Sequence, residues 1–205
     1  MQLIDGFIGN TAGDDLNKLG HRCKDTELIN FHNYFLVAGD NLSLSFHIPL
    51  ENTYPYLLAQ KLKMSYYNLS VFNGGMDVCK NNILVWHKRF KMPKFIIIDF
   101  TFLNALVHYD LTKQKLFGSN FDDENIKELY DQADHNGYFY CKKLLLEKLI
   151  INYYNCPIYQ LKQNNTLALL DNGIKNILIE DNMSHVEIGD LLFRENQVLT
   201  SKVRP

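Results

Sequence analysis

The sequence predicts a three-layer α/β/α sandwich around a mostly parallel, doubly wound sheet of flavodoxin-like topology. Three observations carry that expectation. Strand-like and helix-like stretches alternate from residue 34 onward, the pattern of α/β folds with a parallel sheet. Lys94–Phe100 contains Phe-Ile-Ile-Ile, apolar on both faces as a central parallel strand must be. Several strand-like runs also stop abruptly at small polar residues, which puts polar groups at one edge of the sheet, where open α/β folds bind ligands.

Residues 1–33 read as an irregular extension lying on the domain of residues 34–205. Gly6, Gly9, Gly13 and Gly20 interrupt anything longer than a helical turn at Asp14–Leu19. Tyr34–Ala38 is the first strand, and it ends in Gly39-Asp40-Asn41. A helix follows over 53–63, with Asn52 as its expected cap, Pro55 in its first turn, and Leu57, Leu58 and Leu62 on one face. Tyr66–Phe72 is the second strand, ending in Asn73-Gly74-Gly75. The next helix, Asp77–Phe90, places Lys88 and Arg89 at its C-terminal end, where cations suit the helix dipole.

After the strand at Lys94–Phe100, residues 109–136 are polar and charged, and their length predicts an insertion on the ligand side of the sheet, with a helix near Glu124–Ala133. Tyr138–Tyr154 has the spacing of an amphipathic helix. Pro157–Leu161 and Ile177–Glu180 are the last two strands. Ser184-His185-Val186-Glu187 reads as a capping box opening a final helix from His185 towards Leu199.

Bulk properties narrow the function classes. The 205 residues, 46% of them hydrophobic, suit one α/β domain with a full core. A net charge of −2 gives no electrostatic reason to expect nucleic acid or an anionic membrane as partner. No run approaches a membrane span, and Met1–Gly6 carries no secretory signal, so a cytoplasmic protein is the expectation. The 22 asparagines, with frequent Lys, Ile and Tyr, suggest an AT-rich genome, and a virion or phage component is one expectation. Cys23, Cys79, Cys141 and Cys156 are scattered, which suggests buried thiols, with no zinc site or disulfide framework. No metal or cofactor is expected, and no phosphate-binding glycine loop is present. His21 and His32 lack partners at ligand spacing and are expected in surface or capping roles, His47, His87 and His108 in packing or surface roles. Asp99 and Asp110 read as ordinary loop acids. Tyr54, Tyr56, Tyr66 and Tyr67 could make a sugar-binding face, though core packing explains them equally well.

Four strand-end clusters would meet at one edge: Gly39-Asp40-Asn41, Asn73-Gly74-Gly75, Phe102-Leu103-Asn104-Ala105, and Asp181-Asn182-Met183-Ser184-His185. Their order and spacing resemble the four blocks of the SGNH/GDSL hydrolases, over about residues 34–200. The resemblance implies an SGNH-hydrolase-like fold and an esterase or deacylase acting on small acyl esters such as glycan O-acetyl groups. It implies oxyanion donors at Gly75 (with Gly74 adjacent) and Asn104, a base at His185 and an orienting acid at Asp181, four residues before the histidine where the family has three. At the position of the family's nucleophilic serine this chain has Asn41. A carboxamide has no hydroxyl to deprotonate and cannot form an acyl-enzyme. Ser43 is the backup nucleophile. A non-catalytic binding or structural module on the same fold is the alternative, and a flavodoxin-like nucleotide or signalling domain is the third reading. The oligomeric state is left open.

Overall fold

A computed structural model of the chain describes residues 1–72, 74–99, 106–110, 115–119, 146, 148–162, 174–180 and 182–202. The centre is a five-stranded parallel sheet. Its strands are β3 (Tyr34–Ala38), β4 (Ser65–Asn68), β5 (Ile96–Asp99), β8 (Ile158–Lys162) and β9 (Ile174–Leu178), in the order β4-β3-β5-β8-β9. This is the doubly wound arrangement that the alternating pattern predicts. Chain order reverses between β3 and β5, so the carboxyl ends of those two strands flank a topological switch point. Register fixes the pair, with Leu36 opposite Ile96 and Ala38 opposite Ile98. Both strands are buried along their whole length.

Helices cover both faces. On one lie α2 (Tyr54–Leu62) and α5 (His185–Lys202), packed together. Gly189 of α5 faces Leu57 and the Tyr54 carbonyl, with room for a β-carbon at ordinary contact distance. On the other face lies α3 (Gly75–Arg89), beside the helical residues 148–153, here α4. The Tyr154 hydroxyl donates to the Ile83 carbonyl at 2.8 Å, and the His87 ring meets those of Tyr153 and Tyr154. Trp86 anchors the α3 side, its ring centroid 4.2 Å from those of both Tyr67 and Phe90, and its Nε1–H donates to Tyr34. Large aromatic area with its one polar atom satisfied is what makes such a residue stabilising when buried.

Within the described residues, the strands predicted from residue 34 onward and the helices predicted at 53–63, 77–90 and from His185 are present, with ends shifted by a few residues, and the helix predicted at 138–154 is described as helix only at 146 and 148–153. The second strand stops at Asn68, although the Leu69 N–H still donates to the Val37 carbonyl at 2.8 Å. The cap of α2 is corrected: Asn52 closes a short 3-10 turn, Leu50–Asn52, and Thr53 is the N-cap, its hydroxyl donating back to the Leu50 carbonyl at 2.7 Å and not capping a helical N–H. The capping box at 184–187 is formed, with the Ser184 N–H donating to Glu187 at 2.8 Å and the Glu187 N–H to the Ser184 hydroxyl at 3.3 Å.

The N-terminal extension is more ordered than its glycines suggest. β1 (Gln2–Ile4) and β2 (Phe7–Gly9) form an antiparallel hairpin. Asp5 and Gly6 both take positive φ at its tip, as a tight two-residue hairpin turn requires. Phe7 is fully buried against Trp86 and His21. His21 also departs from expectation. It is fully buried, with Nδ1 3.1 Å from the Tyr67 hydroxyl, and burial pushes its pKa down to about 4. A second hairpin, β6 (Leu106–Asp110) with β7 (Lys115–Ser119), lies partly within the expected insertion. The helix expected at 124–133 lies outside the described residues.

Among the described residues no helix is long and apolar enough to cross a membrane, and no group of three His, Cys, Asp or Glu could hold a metal ion. Cys23, Cys79 and Cys156 are free thiols, and burial pushes Cys23 and Cys156 up to about 12.

Candidate active site at the switch point

The sheet edge at β3 and β5 is held together by one close approach. A β-carbon on Gly39 would overlap both the Oδ1 and the carbonyl oxygen of Asp99, so only glycine lets the first turn pass the end of β5. Asp99 is therefore not a loop acid. It is the last residue of a central strand and 1% exposed. Its Oδ1 accepts the Asp40 N–H at 2.9 Å, and its Oδ2 accepts the hydroxyls of Ser43 and, at 3.2 Å, Tyr54. Burial and the nearby Asp40 carboxylate raise its pKa to about 7, against the opposing pull of the three donors.

Asn41, half-buried, opens a single helical turn, α1 (Asn41–Leu44). Ser43, the backup nucleophile, is 1% exposed. Its hydroxyl lies 2.6 Å from that of Tyr54 and donates to Asp99. It is sealed inside the sheet edge.

The helical turn ends at Ser45, whose φ of 41° and ψ of 57° are left-handed, a conformation uncommon for a residue with a β-carbon. Ser45 is the residue that meets His185. The imidazole Nε2 lies 3.1 Å from the Ser45 hydroxyl, and Nδ1 accepts the backbone N–H of Tyr54 at 3.1 Å. An amide N–H can only donate, so Nδ1 carries the lone pair and the neutral ring carries its proton on Nε2. The ring therefore donates to Ser45, and the Ser45 hydroxyl donates onward to the Leu42 carbonyl at 2.6 Å. The donation runs one way, from the Tyr54 amide through His185 and Ser45 to Leu42. The half-buried ring has its pKa lowered by desolvation, then by the charges of His47 and Arg22. It also lies parallel to the Tyr54 ring, with centroids 6.0 Å apart.

Gly75 starts α3 with φ 57°, and it is buried. The Val71 N–H reaches the Gly39 carbonyl at 3.4 Å, tying the turn after β4 to the first turn. Asn104 and Asp181 lie outside the described residues. His185 thus meets Ser45 and the Tyr54 amide, while Ser43 lies with the Tyr54 hydroxyl and Asp99 inside the sheet edge. Asp99 carried a signal in the sequence, a carboxylate ending an apolar strand. Ser45 and the Tyr54 backbone carried none.

No protein-family model matches the sequence, and no curated protein matches it at a significant level. Solved structures do. A carbohydrate esterase whose active site displays divergent catalytic and non-catalytic binding functions is similar, with a TM-score of 0.51 and 11% identity over 85% of this chain and 69% of that one. The chain has an esterase-like fold. A carbohydrate esterase family 2 enzyme with a carbohydrate-binding domain, from Corynascus thermopiles (Myceliophthora fergusii), is similar with a TM-score of 0.49 and 9% identity, covering 82% and 67%. At such identities the likeness is one of fold and assigns no residue a role.

Proposed function

We propose that the chain is an SGNH/GDSL-type hydrolase-like protein of the esterase or deacylase class, whose ligand is a small acyl ester such as an O-acetyl group on a glycan, and that in this form it binds that ligand without cleaving it. The observation that carries the second half is the one-way hydrogen-bond chain through His185. A general base must offer a lone pair to the nucleophile. Here the lone pair is taken up by the Tyr54 amide and the Nε2 proton faces Ser45. Asn41 at the nucleophile position points the same way. The ligand class follows from the SGNH-like order of the strand-end clusters and from the fold shared with a carbohydrate esterase.

The test pairs hydrolysis with binding. Turnover of an activated acetyl ester is measured for the unaltered chain and for Asn41→Ser, and binding of a partially O-acetylated oligosaccharide is followed calorimetrically. The expected result is saturable binding by both proteins and no turnover by either, because Asn41→Ser restores a hydroxyl but leaves the His185 lone pair on the Tyr54 amide; turnover gained by Asn41→Ser would overturn the one-way chain as the block. Hydrolysis by the unaltered chain would overturn the non-cleaving role. Absence of binding by both would overturn the ligand class.

A further inference from the structure

Arg22 comes from the N-terminal extension and is 1% exposed. Its guanidinium is spent on one loop. Nη1 donates to the carbonyls of Leu44 at 2.8 Å and Ser45 at 2.5 Å, and Nη2 to that of Ile48 at 2.6 Å. Asp15, half-exposed, is its ion-pair partner at 3.5 Å, and the Nε–H finds no acceptor. The Phe46 ring lies 5.5 Å from the guanidinium carbon. A β-carbon on Gly13 would overlap that ring, so the extension closes on the loop from a second point. Left-handed backbone at Ser45 is unfavourable for a serine and persists only where neighbours hold it. Arg22 is the neighbour that grips carbonyls on both sides of it.

We propose that Arg22 is a positioning residue for this rim: by gripping the carbonyls of Leu44, Ser45 and Ile48 it fixes the turn that presents the Ser45 hydroxyl, and so seats the His185 ring between that turn and the first amide of α2. The fork of the guanidinium matters here, because its two separated Nη atoms reach Leu44 and Ser45 on one side and Ile48 on the other, whereas the three donors of an ammonium radiate from a single nitrogen. The inference deepens the ligand reading above by adding the extension to the parts that shape the site. Its first consequence needs no ligand.

The test uses the full chain with Arg22→Lys and Arg22→Met. Hydrogen exchange of the Tyr54 amide and the titration of the His185 ring are both followed by NMR. His185 faces the charges of Arg22 and His47. With Lys, which keeps the charge and loses the fork, Tyr54 exchange should quicken about tenfold while His185 titrates near its original pH. With Met the exchange should quicken at least as much, and His185 should titrate at higher pH because one facing cation is gone. Exchange of Tyr54 unchanged in a folded Arg22→Lys protein overturns the proposal, and that variant decides the matter if Arg22→Met does not fold. A loss spread equally over the amides of β3 and β5 also overturns it, since that is general destabilisation. These readouts fail or succeed independently of glycan binding, so a chain that binds no acetylated oligosaccharide removes the ligand reading without touching the role of Arg22.

Discussion

Ser43 and Ser45 stand two residues apart and are both buried, 1% and 3% exposed, but their hydroxyls meet different partners. Ser43 points into the sheet edge, where its hydroxyl, that of Tyr54 and the Asp99 carboxylate form a closed cluster. Ser45 faces the rim, where a half-buried imidazole meets it from α5. Tyr54 serves both regions, its hydroxyl in the first and its backbone N–H in the second. The difference teaches where ligand chemistry can occur. The inner cluster has its polar groups paired with one another and is sealed, which suits a stabilising role. The rim is shallower and holds the ring with the lowered pKa, so a ligand is sought there. The inner cluster should therefore respond to substitution mainly through stability, and the rim mainly through binding.

The strongest challenge to the inner cluster is Gly39→Ala. The added methyl would collide with the backbone as well as the carboxylate of Asp99, so β3 and β5 would have to separate at their ends. A loss of about 3 kcal/mol is expected, read from the urea unfolding midpoint. A loss under about 0.5 kcal/mol, the range of an ordinary surface change, would mean that the two strand ends are not in contact. Ser43→Ala is milder. It removes one donor from a buried carboxylate and should cost about 2 kcal/mol, leaving glycan binding at the rim within about twofold of the original. Binding lost in a protein of normal stability would merge the two regions and return Ser43 to the site.

These expectations also mark what the sequence made readable. The order of strands and helices was legible because buried parallel strands require apolar runs such as the one before Asp99, and because the Ser184–Glu187 box announces a helix start through local bonds. The switch point followed once alternation implied a doubly wound sheet. What escaped were contacts between segments distant in the chain. Arg22 sits among glycines and gives no hint that it will grip carbonyls in the loop at 44–48. His21 looks like a surface histidine until the hairpin delivers Phe7 beside it. Whether His185 would meet residue 41, 43 or 45 depends on how one helical turn ends, and the left-handed Ser45 that ends it has no local signature. Lone polar residues report their partners only through the fold.

The effect that separates the two regions by sign is the dependence of stability on pH. Asp99 is raised from an ordinary 3.8 to about 7 in the folded protein, so the native state holds its proton more tightly than the unfolded chain does. Its contribution is full below about pH 4, declines up to about pH 7 and is flat above that. His185 is lowered from 6.5, so its contribution is full above pH 6.5 and is lost as the pH falls below it. His21, lowered to about 4, acts in the same direction as His185 and loses its contribution between pH 6.5 and 4. In the unaltered chain the acid and the two histidines oppose each other over that window and flatten the curve. Asp99→Asn should uncover the histidines, giving stability that climbs more steeply between pH 4 and 6.5, by on the order of 1 kcal/mol per pH unit. His185→Gln should tilt the curve the other way by less, because water at the rim screens the charge. Parallel curves for Asp99→Asn and the unaltered chain, measured by urea unfolding across that window, would show that Asp99 stays ionised in the fold, and the contrast between a sealed acid and a reachable base would not hold.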